Sequence, residues 1–363
     1  MCRARRHHTR RRSPIHTRNT TRTRRRALAA GVVGAVALAG CSSAKIHGAA
    51  TVTPAAPVTS STTTPAVYPL TGLPVTNAAN AARPALSVKV DNAPGSFPQA
   101  GLNQADLVAD TLVEGGLTRL FVTFQSQDAP QVGPIRSARP VDAALLKELN
   151  DGIFAYSGAA AGEIAPVKSE TTATLLAFDN GVPVFHLVHS RPSPHTVFAA
   201  TSDLYSYGLS HGASSAPPHQ LFTYSATPQG GSPASSVTMN LSAQSSAQWT
   251  WTPAVGYQRS QEHSPDVTTD GSVVNAQNVV IMSVQIGHTG IFDAAHNEDP
   301  LVILVGSGSL WVMRDGKMIQ GSWQRPSIDS PVKLLTASGQ PIPLHPGRTW
   351  LELLPTPNTP TFG

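Results

Sequence analysis

Two arginines stand three positions apart in the segment Gly133-Pro134-Ile135-Arg136-Ser137-Ala138-Arg139-Pro140. A guanidinium is a planar fork of donors that matches phosphate or carboxylate, and two at this spacing could grip a diphosphate that one could not. Four acids lie upstream, Asp91, Asp106, Asp110 and Glu114. Carboxylates beside a phosphate site could hold a divalent cation through oxygen ligands, or one could accept a proton. Arg119 and His195 complete the set of candidate ligand-binding residues, with Arg191 as a further basic contact. The competing reading makes Arg136 and Arg139 structural partners of Asp106, Asp110 or Glu114, and spacing alone leaves both open.

Other chemistries find less support. The run Phe185-His186-Leu187-Val188-His189-Ser190-Arg191-Pro192-Ser193-Pro194-His195 is rich in histidine, but its spacing fits no common zinc template and it holds no cysteine or glutamate. No Gly-Xaa-Ser-Xaa-Gly elbow, Walker loop or dinucleotide fingerprint occurs. Arg136 and Arg139 are therefore expected to bind rather than to support a familiar catalytic mechanism.

The elements that must position these residues are legible in the apolar pattern. Leu86-Ser87-Val88-Lys89-Val90 alternates and ends at Asp91-Asn92, which reads as a strand running into a turn. Residues 106–113 and 118–124 are strand-like on either side of Glu114-Gly115-Gly116, a hairpin connection by length and by glycine content, although a helix over 105–114 is the rival assignment. On one continuous strand Asp106, Asp110 and Glu114 would share a face, since their separations are even. Val141, Ala144, Leu145 and Leu149 recur at helical spacing behind Pro140, a residue suited to the first helical position. Arg136 and Arg139 then fall at or just before a helix N-terminus, where free N–H groups favour an anion. A short strand at 153–156 and a helix beginning in the run 158–162 follow, so the pattern up to about residue 212 is an α/β domain with a mixed sheet. Residues 213–236, dense in Ser, Pro, Gly and His, read as a linker, and 237–356 as a smaller β-rich domain, with strands at 246–257, 278–286, 301–305 and 310–323. Arg314-Asp315-Gly316-Lys317 is a two-residue hairpin signal inside the last of these.

Charge and cysteine usage place the chain. It is counted at +5, yet eleven arginines fall within residues 1–26 and no acid does. The apolar run 27–39 is short for a membrane span, and Leu38-Ala39-Gly40-Cys41 is a lipobox, so 1–41 is expected to be a lipoprotein signal peptide with Cys41 acylated. Thr23-Arg24-Arg25-Arg26-Ala27-Leu28 also has the look of a twin-arginine export signal. Without the leader, 15 basic residues face 21 acids and the chain stands near −6, which argues against a nucleic-acid partner. Cys2 lies in the leader, so no thiol is left for a disulfide or a metal site. Residues 42–66, made of Ser, Thr, Pro and Ala with few others, read as a disordered tether. The expected address is the outer face of the cell membrane, by way of a lipid anchor.

These pieces together resemble the DUF3048 lipoprotein family. The resemblance runs through Pro69-Leu70-Thr71-Gly72-Leu73-Pro74, Val90-Asp91-Asn92, Gln104-Ala105-Asp106, Val113-Glu114-Gly115-Gly116, Thr118-Arg119 and the arginine segment. It resumes at Pro194-His195, Val305-Gly306-Ser307-Gly308, Asp315-Gly316-Lys317, Gly321-Ser322-Trp323, Asp329-Ser330-Pro331 and Pro346-Gly347-Arg348-Thr349-Trp350. It implies an N-terminal and a C-terminal family domain, hence a two-domain α+β fold, and no agreed activity. Where the family has a basic residue directly before its Ala-Pro-His, Pro192 and Ser193 intervene after Arg191 here. A fainter likeness of layout, a strand carrying Asp91 and an arginine pair before a helix, is to the LytR-CpsA-Psr proteins that transfer glycopolymers from polyprenyl-diphosphate carriers. The expectation is a binding protein for an anionic, phosphate-bearing envelope ligand such as a cell-wall or polyprenyl-phosphate molecule. No cofactor is expected beyond a possible divalent cation. A non-catalytic scaffold and a glycopolymer phosphotransferase are the alternatives.

Overall fold

The computed structural model describes residues 66–363. The leader, Cys41 and nearly all of the tether lie outside the described residues.

The N-terminal segment opens on β1 (Leu86–Asp91), all six residues of which are buried. Leu86, Val88 and Val90 enter one apolar cluster, while Ser87, Lys89 and Asp91 turn to the opposite face. A strand buried on both sides is central, and β1 accordingly pairs antiparallel with β3 (Thr118–Phe124) and parallel with β4 (Ile153–Tyr156). β2 (Leu107–Leu112) pairs antiparallel with β3, and β5 (Thr174–Ala177) parallel with β4. The β2–β3 turn is glycine-dependent: Gly115 and Gly116 have φ of +65° and +72°, a region that side-chain-bearing residues rarely adopt. The strand reading of 106–113 holds and the helix alternative falls.

Helix α1 (Val141–Glu148) and helix α2 (Ala161–Glu170) cover one face of this sheet, burying Leu145, Leu146, Ile164 and Val167 against Phe121 and Phe154. Helix α3 (Thr201–Ser210) packs Leu204 and Tyr205 on the other face. A short ribbon, Phe185–Leu187 with Val197–Ala199, carries the histidine run.

The C-terminal segment is β-rich. β6 (Ser236–Asn240), β7 (Ser246–Thr252) and β8 (Gly256–Gln261) form a small sheet whose Val237, Met239, Trp249 and Tyr257 bury against the first apolar cluster. The single run 246–257 is therefore two strands turning at residues 253–255. The remaining strands are β9 (Asn278–Phe292), β10 (Glu298–Ile303), β11 (Gly306–Arg314), β12 (Lys317–Arg325), β13 (Lys333–Thr336) and β14 (Thr349–Pro355). β11 and β12 meet at the expected hairpin, where Asp315 and Gly316 both have positive φ (54° and 71°).

The two segments share one twelve-stranded sheet. Its order is β13-β12-β11-β9-β14-β2-β3-β1-β4-β5, with β10 added on the outer half of β9 and the two-residue strand Ser232–Pro233 on the end of β12. The joint is β14, which lies parallel to β9 on one side and parallel to β2 on the other, with Glu352 opposite Asp110. Trp249 and Trp350, ring centroids 5.1 Å apart, fill the space between the two sheets at this joint. The connection between the segments is also packed: Phe222 is buried, and the Tyr224 hydroxyl donates to the Leu70 carbonyl over 2.6 Å.

Candidate functional site

Asp91 stands at the end of β1, in register with Arg119 on β3. The chain 134–138 then runs beside β1, tied by Asp91 N to Pro134 O at 2.8 Å and Arg136 N to Lys89 O at 2.8 Å. This pins Arg136 over the end of the sheet. Its Nε lies 3.0 Å from Asp91 Oδ2, and His195 Nδ1 lies 2.7 Å from the same oxygen. Asp91 Oδ1 accepts the Ala93 N–H at 3.3 Å. Asp91 is buried while the Arg136 side chain keeps 25% of its surface exposed, so the carboxylate anchors a guanidinium that faces outward. Among the described residues no hydrogen bond is made to the Arg136 terminal nitrogens.

Arg139 is placed differently. Its Nε donates to Glu114 Oε2 at 3.0 Å and its Nη2 to Glu114 Oε1; Glu163 Oε2 and Asp299 Oδ1 each lie 3.3 Å from its nitrogens. It is 4% exposed and encircled by carboxylates. The two arginines therefore do not form a matched pair. Arg139 fulfils the structural reading with Glu114, and Arg136 keeps the open fork. The helix N-terminus is also taken. Asp142 in the first turn of α1 accepts the Arg139 N–H at 2.7 Å and holds the buried Lys89 ammonium at 2.7 Å, so the anion favoured there comes from the chain itself. Burial lowers the Lys89 pKa, with Asp142 opposing.

Arg119 adds a third guanidinium. Its Nη1 donates to Ser137 O at 3.3 Å, and its Nη2 lies 3.9 Å from Glu114 Oε2. Burial, followed by the like charge of Arg139, lowers Arg119 to about 10, with Glu114 pulling the other way. Glu114 itself is pushed up by burial, but its hydrogen bond and charge contact with Arg139 outweigh this and hold it below the usual carboxylate range. Asp299, with neither oxygen hydrogen-bonded, is pushed up to about 7 by burial against the opposing charge of Arg139. Glu163, in the first turn of α2, accepts the Ala160 N–H at 2.7 Å.

These groups meet at one cleft of about 410 Å³, bounded by Asp91, Glu114, Arg119, Arg136, Arg139 and His195. The tip of the β9–β10 hairpin, Phe292 and Asp293, forms its far wall. Six of the eight candidate residues thus come together and two do not. Asp106 lies at the opposite end of β2 from Glu114, where it accepts the Gln125 and Ser126 N–H groups at 2.6 and 2.7 Å and the Ser126 hydroxyl. Asp110 points into the space between the two sheets, 2.7 Å from Arg259. The expectation that Asp106, Asp110 and Glu114 share a face fails because β2 ends at Leu112 and Glu114 sits in the turn, out of the strand's alternation. Arg191 is also corrected: it donates to the carbonyls of Ser96 and Pro98 and lies over the Phe198 ring, bracing a loop rather than lining the cleft. His186 and His189 lie outside the cleft. Among the described residues no three His, Cys, Asp or Glu side chains are arranged to hold a metal ion, since the upstream acids are dispersed and engaged by cations or backbone N–H groups.

Sequence reasoning missed Glu163, Phe292 and Asp293, which reach the cleft from α2 and the distant hairpin, and the buried Asp299 behind Arg139, none of which has a local signal. It also missed Arg259, for which a signal exists: Tyr257, Arg259 and Gln261 alternate on the buried face of β8.

A mixed sheet spanning two segments, with α1 and α2 on one face, α3 and a small sheet on the other and a polar cleft at the strand ends, defines a two-domain α+β protein of a particular family layout. The chain belongs to the family described as "Protein of unknown function (DUF3048)". The profile of its N-terminal domain matches residues 70–225 and that of its C-terminal domain 237–351. The chain is 28% identical over 299 residues to the Bacillus subtilis (strain 168) protein named "Putative lipoprotein YerB", covering 79% of this chain and 86% of that protein. The crystal structure of the YerB protein from Bacillus subtilis has the same fold, with a TM-score of 0.69 at 23% identity over 82% of this chain and 99% of that one. Among the described residues no helix is long and apolar enough to cross a membrane.

Proposed function

We propose that this protein is a lipoprotein of the cell envelope, held on the outer membrane face through an acylated Cys41, whose cleft binds an anionic, phosphate-bearing ligand. The lipobox Leu38-Ala39-Gly40-Cys41 and the similarity to a protein named as a lipoprotein support the address. One observation carries the ligand class: Arg136 Nε rests 3.0 Å from buried Asp91 as a charge pair without hydrogen-bond geometry, and Arg136 lines the cleft beside Arg119. Orienting a guanidinium through one edge and presenting the other is how a fork is pre-set for an incoming oxyanion. Nearby charges are arranged to favour this. Arg139 and Arg119 meet Glu114, Arg139 also meets Glu163, and burial pushes Asp299 up, so Arg136, paired with Asp91 on one edge, is the guanidinium left with an outer edge to meet a ligand.

Calorimetric titration with inorganic pyrophosphate tests the site. Wild-type binding that falls about 10- to 100-fold in Arg136→Ala, the range for a lost charged hydrogen bond, is the expected result. Equal binding by both proteins refutes the reading. Detergent phase partition tests the address, since Cys41→Ser should move the protein from the detergent to the aqueous phase.

A further inference from the structure

Phe292 is 60% exposed, the most exposed large apolar side chain among the described residues, and it stands on the wall of the polar cleft. A single exposed apolar residue ordinarily needs no explanation. This one is held in place by its surroundings. It is the last residue of β9, opposite Glu298. The turn beyond it is closed by Asp293, whose Oδ1 accepts the N–H groups of Ala295 and Asn297 at 2.9 and 2.8 Å. Ile291 seats the hairpin on the first turn of α2, where a Cβ placed on Gly162 would lie 2.8 Å from Ile291 Cδ1. The C-terminal segment thereby delivers an aromatic face to a site built by the N-terminal segment.

Resting on the anion-binding reading of the cleft, we propose that Phe292 is a stacking platform for a sugar ring, and that the ligand is a phosphorylated pyranose unit of an envelope glycan. A planar ring at the edge of a polar site offers an apolar face to the C–H side of a pyranose, while the hydroxyls on that sugar's rim seek acceptors. Carboxylates line the cleft beside Arg119 and Arg136: Asp91 and Glu163, each holding a cation of the chain, and the rim residue Asp293. A nucleoside diphosphate presents fewer hydroxyls to those carboxylates than a pyranose does. An anionic bilayer is disfavoured too, since the hairpin tip carries Asp293 and Glu298 and neither lysine nor arginine between residues 288 and 298. At about 410 Å³ the cleft lies at the small end of the range for small-molecule pockets, suiting one sugar phosphate rather than a polymer.

Calorimetry with N-acetylglucosamine 1-phosphate, inorganic phosphate and adenosine diphosphate, on wild type, Phe292→Ala, Phe292→Leu and Phe292→Trp, tests the proposal. Expected is tighter binding of the sugar phosphate than of inorganic phosphate, a loss of about 3- to 10-fold in Phe292→Ala and Phe292→Leu, and recovery in Phe292→Trp with a change in its fluorescence on binding. Inorganic phosphate affinity should not move across the series. If phosphate binds but the sugar adds nothing, or if Phe292→Ala weakens phosphate equally, the platform is overturned and the anion site stands. Preference for adenosine diphosphate overturns the sugar assignment. If no anion binds wild type, the anion site itself is refuted and the platform falls with it.

Discussion

Two arginines, Arg139 and Arg259, each sit among three carboxylates, and the two clusters resolve the same imbalance in different ways. Arg259 lies between the sheets, 2.7 Å from Asp110 and Asp266 and 3.7 Å from Glu352, with the Trp350 ring 4.9 Å from its guanidinium carbon. Every member is buried, and Trp249 seals the space by donating to Glu352 at 2.8 Å. Among the described residues no second cation makes an ion pair with this cluster, and burial pushes up both Asp110 and Glu352, the latter to about 7. Arg139 faces Glu114, Glu163 and Asp299 in the same proportion, but its cluster borders an open cleft, and Arg119 and Arg136 share its surroundings. A sealed cluster that joins β2, β8 and β14 is a structural joint. An open one, bordered by the part-exposed Arg136, is where the proposed site lies.

The comparison is broken most directly by removing each central arginine. Arg259→Met leaves three buried carboxylates without their counter-ion and should cost about 3–5 kcal/mol in urea unfolding, the range for breaking a buried pair from one side. Arg139→Met should cost less, about 2 kcal/mol, because Arg119 already lies near Glu114 and the cleft admits water. Equal losses would mean that the two clusters are equally closed, and the distinction between joint and site would fail.

The next effect is a pH slope. Glu352 and Asp299 titrate near 7 in the folded chain, above ordinary values of 4.5 and 3.8. The folded state therefore binds more protons than the unfolded state between about pH 4.5 and 7, and stability falls as pH rises through that window. Each such group contributes at most about 1.4 kcal/mol per pH unit. Glu114 has the opposite sign, since it is held below 4.5 and its contribution is lost as pH falls through the acidic range. Glu352→Gln should flatten the slope between pH 5 and 7 in unfolding curves taken across that range. An unchanged slope would show that Glu352 is already ionised at pH 5.

The sequence made one side of this comparison visible and hid the other. β1, β2, β3 and α1 follow from alternation, paired glycines and helical spacing over short distances, and they carry Asp91, Glu114, Arg119, Arg136 and Arg139, so most of the cleft could be listed in advance. What could not be read was which arginine is enclosed. That is decided by Glu163 on α2 and by Asp299, which reaches Arg139 only because the β9–β10 hairpin of the C-terminal segment folds against the N-terminal one. Asp110 was misplaced for the same reason: its partner Arg259 is 149 positions away. Local pattern fixes the face a residue takes on its strand, but long-range pairing decides what it meets there.

The smallest expected effect sharpens the comparison from the side of the open site. Asp91 keeps its hydrogen bonds with His195 Nδ1 at 2.7 Å and the Ala93 N–H at 3.3 Å when the Arg136 guanidinium is removed, so the buried carboxylate stays hydrogen-bonded on both oxygens. Its side chain is a quarter exposed, where ion pairs contribute about 0–1 kcal/mol. Arg136→Ala should therefore shift unfolding by no more than about 1 kcal/mol, and a double-mutant cycle with Asp91→Asn should give a coupling in the same range. Arg136→Lys should be as stable as wild type and still bind pyrophosphate poorly, since an ammonium cannot both rest on Asp91 and present a two-pronged donor to the cleft. A destabilisation of 3 kcal/mol or more in Arg136→Ala would place Arg136 with Arg259, as a second joint, and leave the cleft without its free cation.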